Sequence, residues 1–193
     1  PMRIDLHSHT TISDGKLSPA ELITHAIASG VDMLAITDHD SIDAYQHIPD
    51  RAALPFRLIA GIEFSTQWMK TDVHILGLNV DLDSKALKTG ITAQQTFRYE
   101  RASQIANRLT RELGIANPIE AVRALASSDH AIGRPHFARY LVETGVVRDD
   151  KEAFKKYLGI GKKAYIKPTW AELPEVIGWI RAAGGTAVIA HPM

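Results

Sequence analysis

Short, continuously apolar runs recur along this chain at roughly helix-length intervals, and that pattern confines it to few folds. Ile4–Leu6, Met33–Thr37, Arg57–Ile62, Val73–Leu78 and Thr186–Ala190 read as strands. Such runs are buried on both faces. Helices between them supply the cover, which predicts an α/β fold built on a parallel sheet or barrel. The helix signals agree. Ser18-Pro19-Ala20-Glu21 is a capping box with Pro at the first helical position, and Gly30 closes that helix. A short helical segment is expected near Asp43–His47. Another helix is expected over 172–183, stopped by Gly184-Gly185.

The middle of the chain has a different texture. Phe97, Ala102, Ile105, Leu109 and Leu113 lie at helical spacing, so 92–113 is predicted to be one long helix ending at Gly114. Further helices are expected over 118–126, 135–144 and 150–158, with no strand signal across 92–160. The organisation that follows is an α/β part over 1–90, a helical insertion over 91–170 and a return to the α/β part over 171–193. Charge divides similarly. Residues 1–87 hold 6 Lys+Arg against 12 Asp+Glu, whereas residues 88–170 hold 15 against 8. A basic insertion beside an acidic part suggests an anionic partner, although solvated helix faces carry such charge too.

Composition removes several function classes. The 193 residues include no cysteine, which excludes disulfides, thiolate zinc sites and cysteine nucleophiles. Any metal must be held by nitrogen and oxygen. No apolar run approaches the roughly 18 residues of a membrane span, and no secretory leader opens the sequence, so a cytoplasmic protein is expected.

The polar residues collect where strands end. The first strand runs into His7-Ser8-His9, followed by a loop holding Asp14-Gly15. The second ends in Thr37-Asp38-His39-Asp40, the third in Glu63-Phe64-Ser65, and the last in His191-Pro192; His74 lies within the fourth. Side chains at i and i+2 of a strand share a face, so His7 and His9 point the same way. In parallel α/β folds the carboxyl ends of the strands converge on one face, where active sites lie. Imidazoles and carboxylates without sulfur suit Mn²⁺, Fe²⁺ or Zn²⁺. Clustered divalent ions polarise phosphoryl oxygens and lower the pKa of water towards about 7. The chemistry such a cluster can supply is attack by an activated hydroxide, without a covalent intermediate. His25 and His47 fit no such cluster and read as helix-surface histidines.

These segments resemble the motifs of the PHP (polymerase and histidinol phosphatase) family, nearly in order. DLHSHTTISDG is similar to the first motif, AITDHD to the second, GIEFS with VHILGLN to the third, and AVIAHP to the one that follows. The resemblance implies a distorted (β/α)7 barrel, its final strands missing from this chain, holding two or three divalent ions, manganese foremost. It implies that His7, His9 and Glu63 bind one ion, that Glu63 bridges to a second held by His74 and His191, and that Asp14 and His39 hold a third. Asp14, His39 and Glu63 would be the catalytic set. Asp38 would orient a coordinating imidazole. In the family a later Asp-x-His motif completes the first and third sites. The chain reaches Met193 without one, so the expectation is a piece of a longer protein, inactive or nearly so alone.

The insertion resembles one PHP subgroup through GRPHFARYLVE and FKKYLGIGKKAY. That subgroup includes nucleoside 3′,5′-bisphosphate phosphatases and a 5′-to-3′ exoribonuclease. A metal-dependent phosphoesterase acting on nucleotides or short single-stranded nucleic acid is therefore expected, with no membrane association and no obligate protein partner. Arg134, before Pro135 and His136 at an expected helix N-terminus, combines a guanidinium fork with free backbone N–H groups, which makes an anion site. The resemblance implies that Arg134 and His136 contact a substrate phosphate. Ser65 is a further phosphate candidate, and Lys162 reads equally as a phosphate contact or a solvated charge. Tyr165 and Trp170 are candidates for base stacking, or for core. Two alternatives share the metal motifs: a histidinol-phosphate phosphatase, and a PHP-like module without catalysis.

Overall fold

The computed structural model describes residues 1–192 and divides into two compact units, Pro1–Gln94 with Trp170 onward, and Gln95–Thr169. The first unit holds a five-stranded sheet in the order β1-β2-β3-β4-β5. Its strands are β1 (Ile4–Ser8), β2 (Met33–Ile36), β3 (Arg57–Trp68), β4 (Thr71–Leu78) and β5 (Thr186–Ile189). Helix α1 (Pro19–Ala28) starts at the anticipated cap: the Ser18 hydroxyl accepts from the Glu21 N–H, and Glu21 reaches back to the Ser18 N–H. The 43–47 segment is a short 3₁₀ turn.

One expectation about the sheet needs correction. β1, β2 and β3 are parallel, but β3–β4 and β4–β5 are antiparallel. The third strand does not stop at Ile62. It continues through Glu63 to Trp68 and returns through the two-residue turn Met69-Lys70, both left-handed. A turn that short permits only an antiparallel partner. Glu63 and His74 therefore lie inside a hairpin, and Ser65 pairs across it with His74.

Two apolar clusters flank this sheet. One gathers Ile62, Phe64, Ile75, Leu87, Ile91, Val176 and Ile180 from β3, β4, α2 (Lys85–Leu113) and α6 (Leu173–Ala182). The other packs Ile23 and Ala26 of α1 with Leu34, Ile36, Tyr45, Ile48 and Phe56. Tyr45 also ties strands together: its hydroxyl lies 2.6 Å from the Ile36 carbonyl and accepts from the Gly61 N–H at 2.7 Å. β1 and β5 are the sheet edges, with Ile4 and Ile189 more than half exposed.

The second unit is helical. It contains most of α2, then α3 (Pro118–Arg123), α4 (Arg134–Glu143) and α5 (Asp150–Ala153), the last running into a π-turn over Phe154–Leu158. Ala102, Ile105 and Leu109 of α2 face a core with Val122, Phe137, Leu141 and Leu158. The helix begins at Lys85, seven residues before its expected start, because Ser84 opens it and Leu87 and Ile91 bury one helical turn apart. Among the described residues no helix is long and apolar enough to cross a membrane.

Gly90 shows how closely α2 and α6 approach. A Cβ there would be driven into the Trp179 indole, which itself packs edge-on against Phe64. Alanine gains about 1 kcal/mol of helix propensity, but overpacking at a fixed ring costs about 1–3 kcal/mol. Gly90→Ala is expected to lower the urea midpoint, and adding Trp179→Leu should make the alanine neutral or favourable relative to Trp179→Leu alone.

Candidate metal centre

The site grows from backbone irregularities at the ends of β1 and β2. β1 carries a bulge between Asp5 and Ser8, where its register against β2 slips. Bulges re-aim side chains, and here His7 and His9 bring their Nε2 atoms within 3.1 Å of each other. The following loop folds tightly back, with the Gly15 N–H donating to the Thr10 carbonyl at 2.9 Å. A Cβ on Gly15 would collide with the His9 carbonyl, so only glycine closes this loop and sets Asp14 beside His9.

Asp38 holds that loop from the end of β2. Its Oδ1 accepts from the Thr10 N–H at 2.7 Å and the Ser13 hydroxyl at 2.6 Å, and its Oδ2 from the Thr10 hydroxyl at 2.7 Å. Asp38 makes these bonds to the loop rather than to an imidazole, and through them it grips the segment that carries His9 and Asp14. Burial pushes the Asp38 carboxyl above its usual range, and the bonds from Ser13 and Thr10 offset part of that.

Glu63 is the centre. Its side chain is fully buried, and its two oxygens divide the histidines. Oε2 faces His7 Nε2 at 2.8 Å and His9 Nε2 at 3.0 Å, whereas Oε1 faces His74 Nδ1 at 3.0 Å and His191 Nε2 at 3.1 Å. His39 stands to one side, its Nδ1 3.7 Å from Oε2 and its Nε2 3.4 Å from Asp14 Oδ2. Burial alone would push the Glu63 carboxyl up. Hydrogen bonds from His74 and His9, with the charges of His39 and His74, outweigh that and hold it far below the usual carboxylate range. Burial pulls His9 down, but the bond and charge of Glu63, with Asp14 and Asp38, leave it above its ordinary value.

This donor set fits divalent cations. Three groups have ligand atoms within 4.8 Å of one another: His7, Glu63 and His191; His9, Asp14 and His39; and His39, Glu63 and His74. His9 Nδ1 and His39 Nδ1 are buried without a hydrogen-bond partner. Imidazole nitrogens facing each other and a shared carboxylate are held together best by a positive ion among them. The groups overlap at Glu63 and His39, and His9 falls with Asp14 and His39 as readily as with His7.

The remaining candidates divide between the units. Ser65 lies two residues beyond Glu63 on β3 and is 2% exposed. Arg134 opens α4 in the helical unit, its guanidinium 5.5 Å from the Phe154 ring and 3.4 Å from the Leu158 carbonyl. His136 is buried and its Nδ1 accepts from the Gly133 N–H at 3.0 Å, while Lys162 is exposed. Arg101 lies over the Tyr165 ring. Trp170 is 7% exposed, so its ring is interior and offers no open face for a base. His25 and His47 are exposed on helical turns away from the cluster. Sequence reasoning misses the Thr10 and Ser13 grip on Asp38. The available signal is polar residues crowded between a ligand pair and Asp14.

A sheet that gathers five histidines and Asp14 around one buried glutamate defines an α/β protein with a donor set suited to metal ions. The chain belongs to the PHP domain family, whose model matches residues 5–165. It is 44% identical over 192 residues to a 5′-3′ exoribonuclease of Haemophilus influenzae, covering 99% of this chain and 69% of that one. It is 41% identical to a 3′,5′-nucleoside bisphosphate phosphatase of Chromobacterium violaceum, covering 98% and 66%. A solved structure from Bifidobacterium adolescentis, assigned as a metal-dependent phosphoesterase, superposes with a TM-score of 0.90 at 28% identity, covering 99% and 68%. The chain thus spans about two thirds of the length of these relatives.

The Asp38 grip is testable on its own. Asp38→Asn turns one acceptor into a donor facing the Thr10 or Ser13 donors, at a cost of about 1–3 kcal/mol. A lowered urea midpoint with reduced metal uptake is expected; unchanged values for both would contradict the assignment.

Proposed function

We propose that this chain carries the catalytic centre of a metal-dependent phosphoesterase that acts on nucleoside 3′,5′-bisphosphates and on short 5′-phosphorylated single-stranded oligonucleotides. The observation that carries the reading is the division of four histidines between the two oxygens of buried Glu63. A carboxylate so placed would hold ions together with His7 and His9 on one side and His74 and His191 on the other. Asp14 and His39 add a third position. In the full-length protein the five strands would form part of a distorted (β/α)7 barrel, and manganese is the ion we favour. When bound, such ions polarise a phosphoryl oxygen and supply hydroxide at neutral pH.

The protein's own groups do the rest. Asp38 keeps His9 and Asp14 in place through Thr10 and Ser13. Glu63, held ionised, gives the site the negative charge that retains cations. The basic helical segment over 91–170 supplies substrate contacts. Arg134 is the proposed anchor for one phosphate, because a guanidinium presents a bidentate fork to phosphate. His136 and Lys162 are its proposed companions in that segment, and Ser65, two residues beyond Glu63, is a separate proposed phosphate contact. Relatives named a 5′-3′ exoribonuclease and a 3′,5′-nucleoside bisphosphate phosphatase support the substrate class.

Manganese-loaded full-length protein is expected to release phosphate from adenosine 3′,5′-bisphosphate and mononucleotides from a 5′-labelled RNA oligomer, with EDTA abolishing both. Turnover of histidinol phosphate in preference to either would overturn the substrate class. His9→Ala should remove metal and abolish turnover of every substrate. Arg134→Ala should raise KM for the bisphosphate at least about tenfold, as loss of a charge-assisted bidentate contact implies. Its effect on an aryl phosphate should be small, and equal effects on both would exclude the anchoring role.

A further inference from the structure

Gln94 is a fully buried amide on α2 whose hydrogen-bonding groups meet the Asp40 carboxylate and the backbone of Ser65 and Ala171. Its Nε2 donates to Asp40 Oδ1 at 3.1 Å and also to the Ser65 carbonyl, and its Oε1 accepts from the Ala171 N–H at 3.0 Å. Asp40 is equally buried and left-handed, with φ 49°. Its Oδ1 accepts in addition from the Ser65 N–H at 3.1 Å. Both backbone groups of Ser65 are therefore taken by the Asp40–Gln94 pair.

These bonds bracket the strand pairing that aligns two of the clustered side chains. The Asp40 N–H donates to the Glu63 carbonyl at 2.9 Å, and the Glu63 N–H donates to the Asp38 carbonyl at 3.1 Å. His39 and Glu63 thus face each other across an isolated parallel bridge beyond the end of β2. A single bridge past the regular ladder does not hold itself rigid. Asp40 and Gln94 clamp its far side, and a left-handed residue there turns the chain away immediately after His39.

We infer that Gln94, acting through Asp40 and Ser65, is a positioning residue that sets His39 against Glu63 and thereby the affinity of the site for divalent metal. The inference rests on the metal reading of this site. Supporting groups of this kind typically contribute about 10–100-fold to metal affinity. Both groups that contain His39 should weaken when the clamp is lost, and the one formed by His7, Glu63 and His191 should weaken least.

The test is Mn²⁺ binding to full-length protein, read by electron paramagnetic resonance and by metal content after dialysis, beside thermal unfolding of the metal-free form. Gln94→Met keeps the side-chain length and removes all three bonds. Gln94→Glu keeps the acceptor for the Ala171 N–H and loses both amide donors. Both variants are expected to bind Mn²⁺ about 10–100-fold more weakly at one or more sites. Asp40→Asn retains the Oδ1 acceptor and a residue type at home in left-handed backbone, so it should keep most of the affinity that Asp40→Ala loses. Wild-type protein that takes up no Mn²⁺ would overturn the metal reading itself. Wild-type uptake matched by both Gln94 variants, with only the melting temperature lowered, would overturn this inference and leave the metal reading standing. Should Gln94→Met fail to fold, the Gln94→Glu and Asp40→Asn comparisons decide the matter.

Discussion

Everything around the site depends on one electrostatic fact: an ionised carboxylate, Glu63, sits fully buried in the middle of a strand. A bare charge in that position costs several kcal/mol. The surrounding imidazoles outweigh that cost at Glu63 and hold its carboxyl well below the usual range, but their own nitrogens then crowd one another, those of His7 and His9 lying within 3.1 Å. The arrangement is satisfied when further positive charge lies among the ligands. The donor set suits cations, and the bulge in β1, the Gly15 turn and the Asp38 grip hold His7, His9 and Asp14 about that one residue.

The sheet accounts for the placement of Glu63. The parallel strands β1 and β2 deliver His7, His9 and His39 at or just beyond their carboxyl ends, as α/β folds generally do. The hairpin of β3 and β4 then reverses direction, which puts His74 beside Glu63 rather than at a strand end. β5 pairs with the same hairpin, and the Ala190 N–H donates to the His74 carbonyl. That bond brings His191 to the second oxygen of Glu63. A fully parallel arrangement would have sent His74 to the opposite end of the sheet.

The two units carry different parts of the proposed chemistry, and their cores differ accordingly. The sheet unit is polar at its centre and depends on a dense set of side chain-to-backbone bonds involving Asp38, Asp40, Ser65 and Gln94. Such networks give one defined geometry when every member is satisfied. The helical unit has an ordinary apolar core from Ala102, Ile105, Leu109, Phe137 and Leu141, with Lys155, Lys156, Lys162 and Lys163 exposed and Arg98, Arg101 and Arg134 half-buried. A π-turn places Phe154 and the Leu158 carbonyl against Arg134.

Much of this is legible in the amino-acid order. The five strands, the Ser18 cap and the helical stretch from 92 to 160 follow from apolar periodicity and local capping chemistry, which act over a few residues. The seven metal-capable side chains are legible because imidazoles and carboxylates gathered at strand ends share one chemical competence, the binding of divalent cations. Further features are decided only by the tertiary structure. The direction of β4 depends on where β3 ends, and a short apolar run does not reveal its own length. The true start of α2 depends on a core that Leu87 and Ile91 meet only after folding. The partition of histidines between Glu63 Oε1 and Oε2, and the Gln94 clamp spanning 54 residues to Asp40, join chain segments far apart in sequence. Local propensity carries no information about such pairs, so the ligand types belong to the sequence and their geometry to the fold.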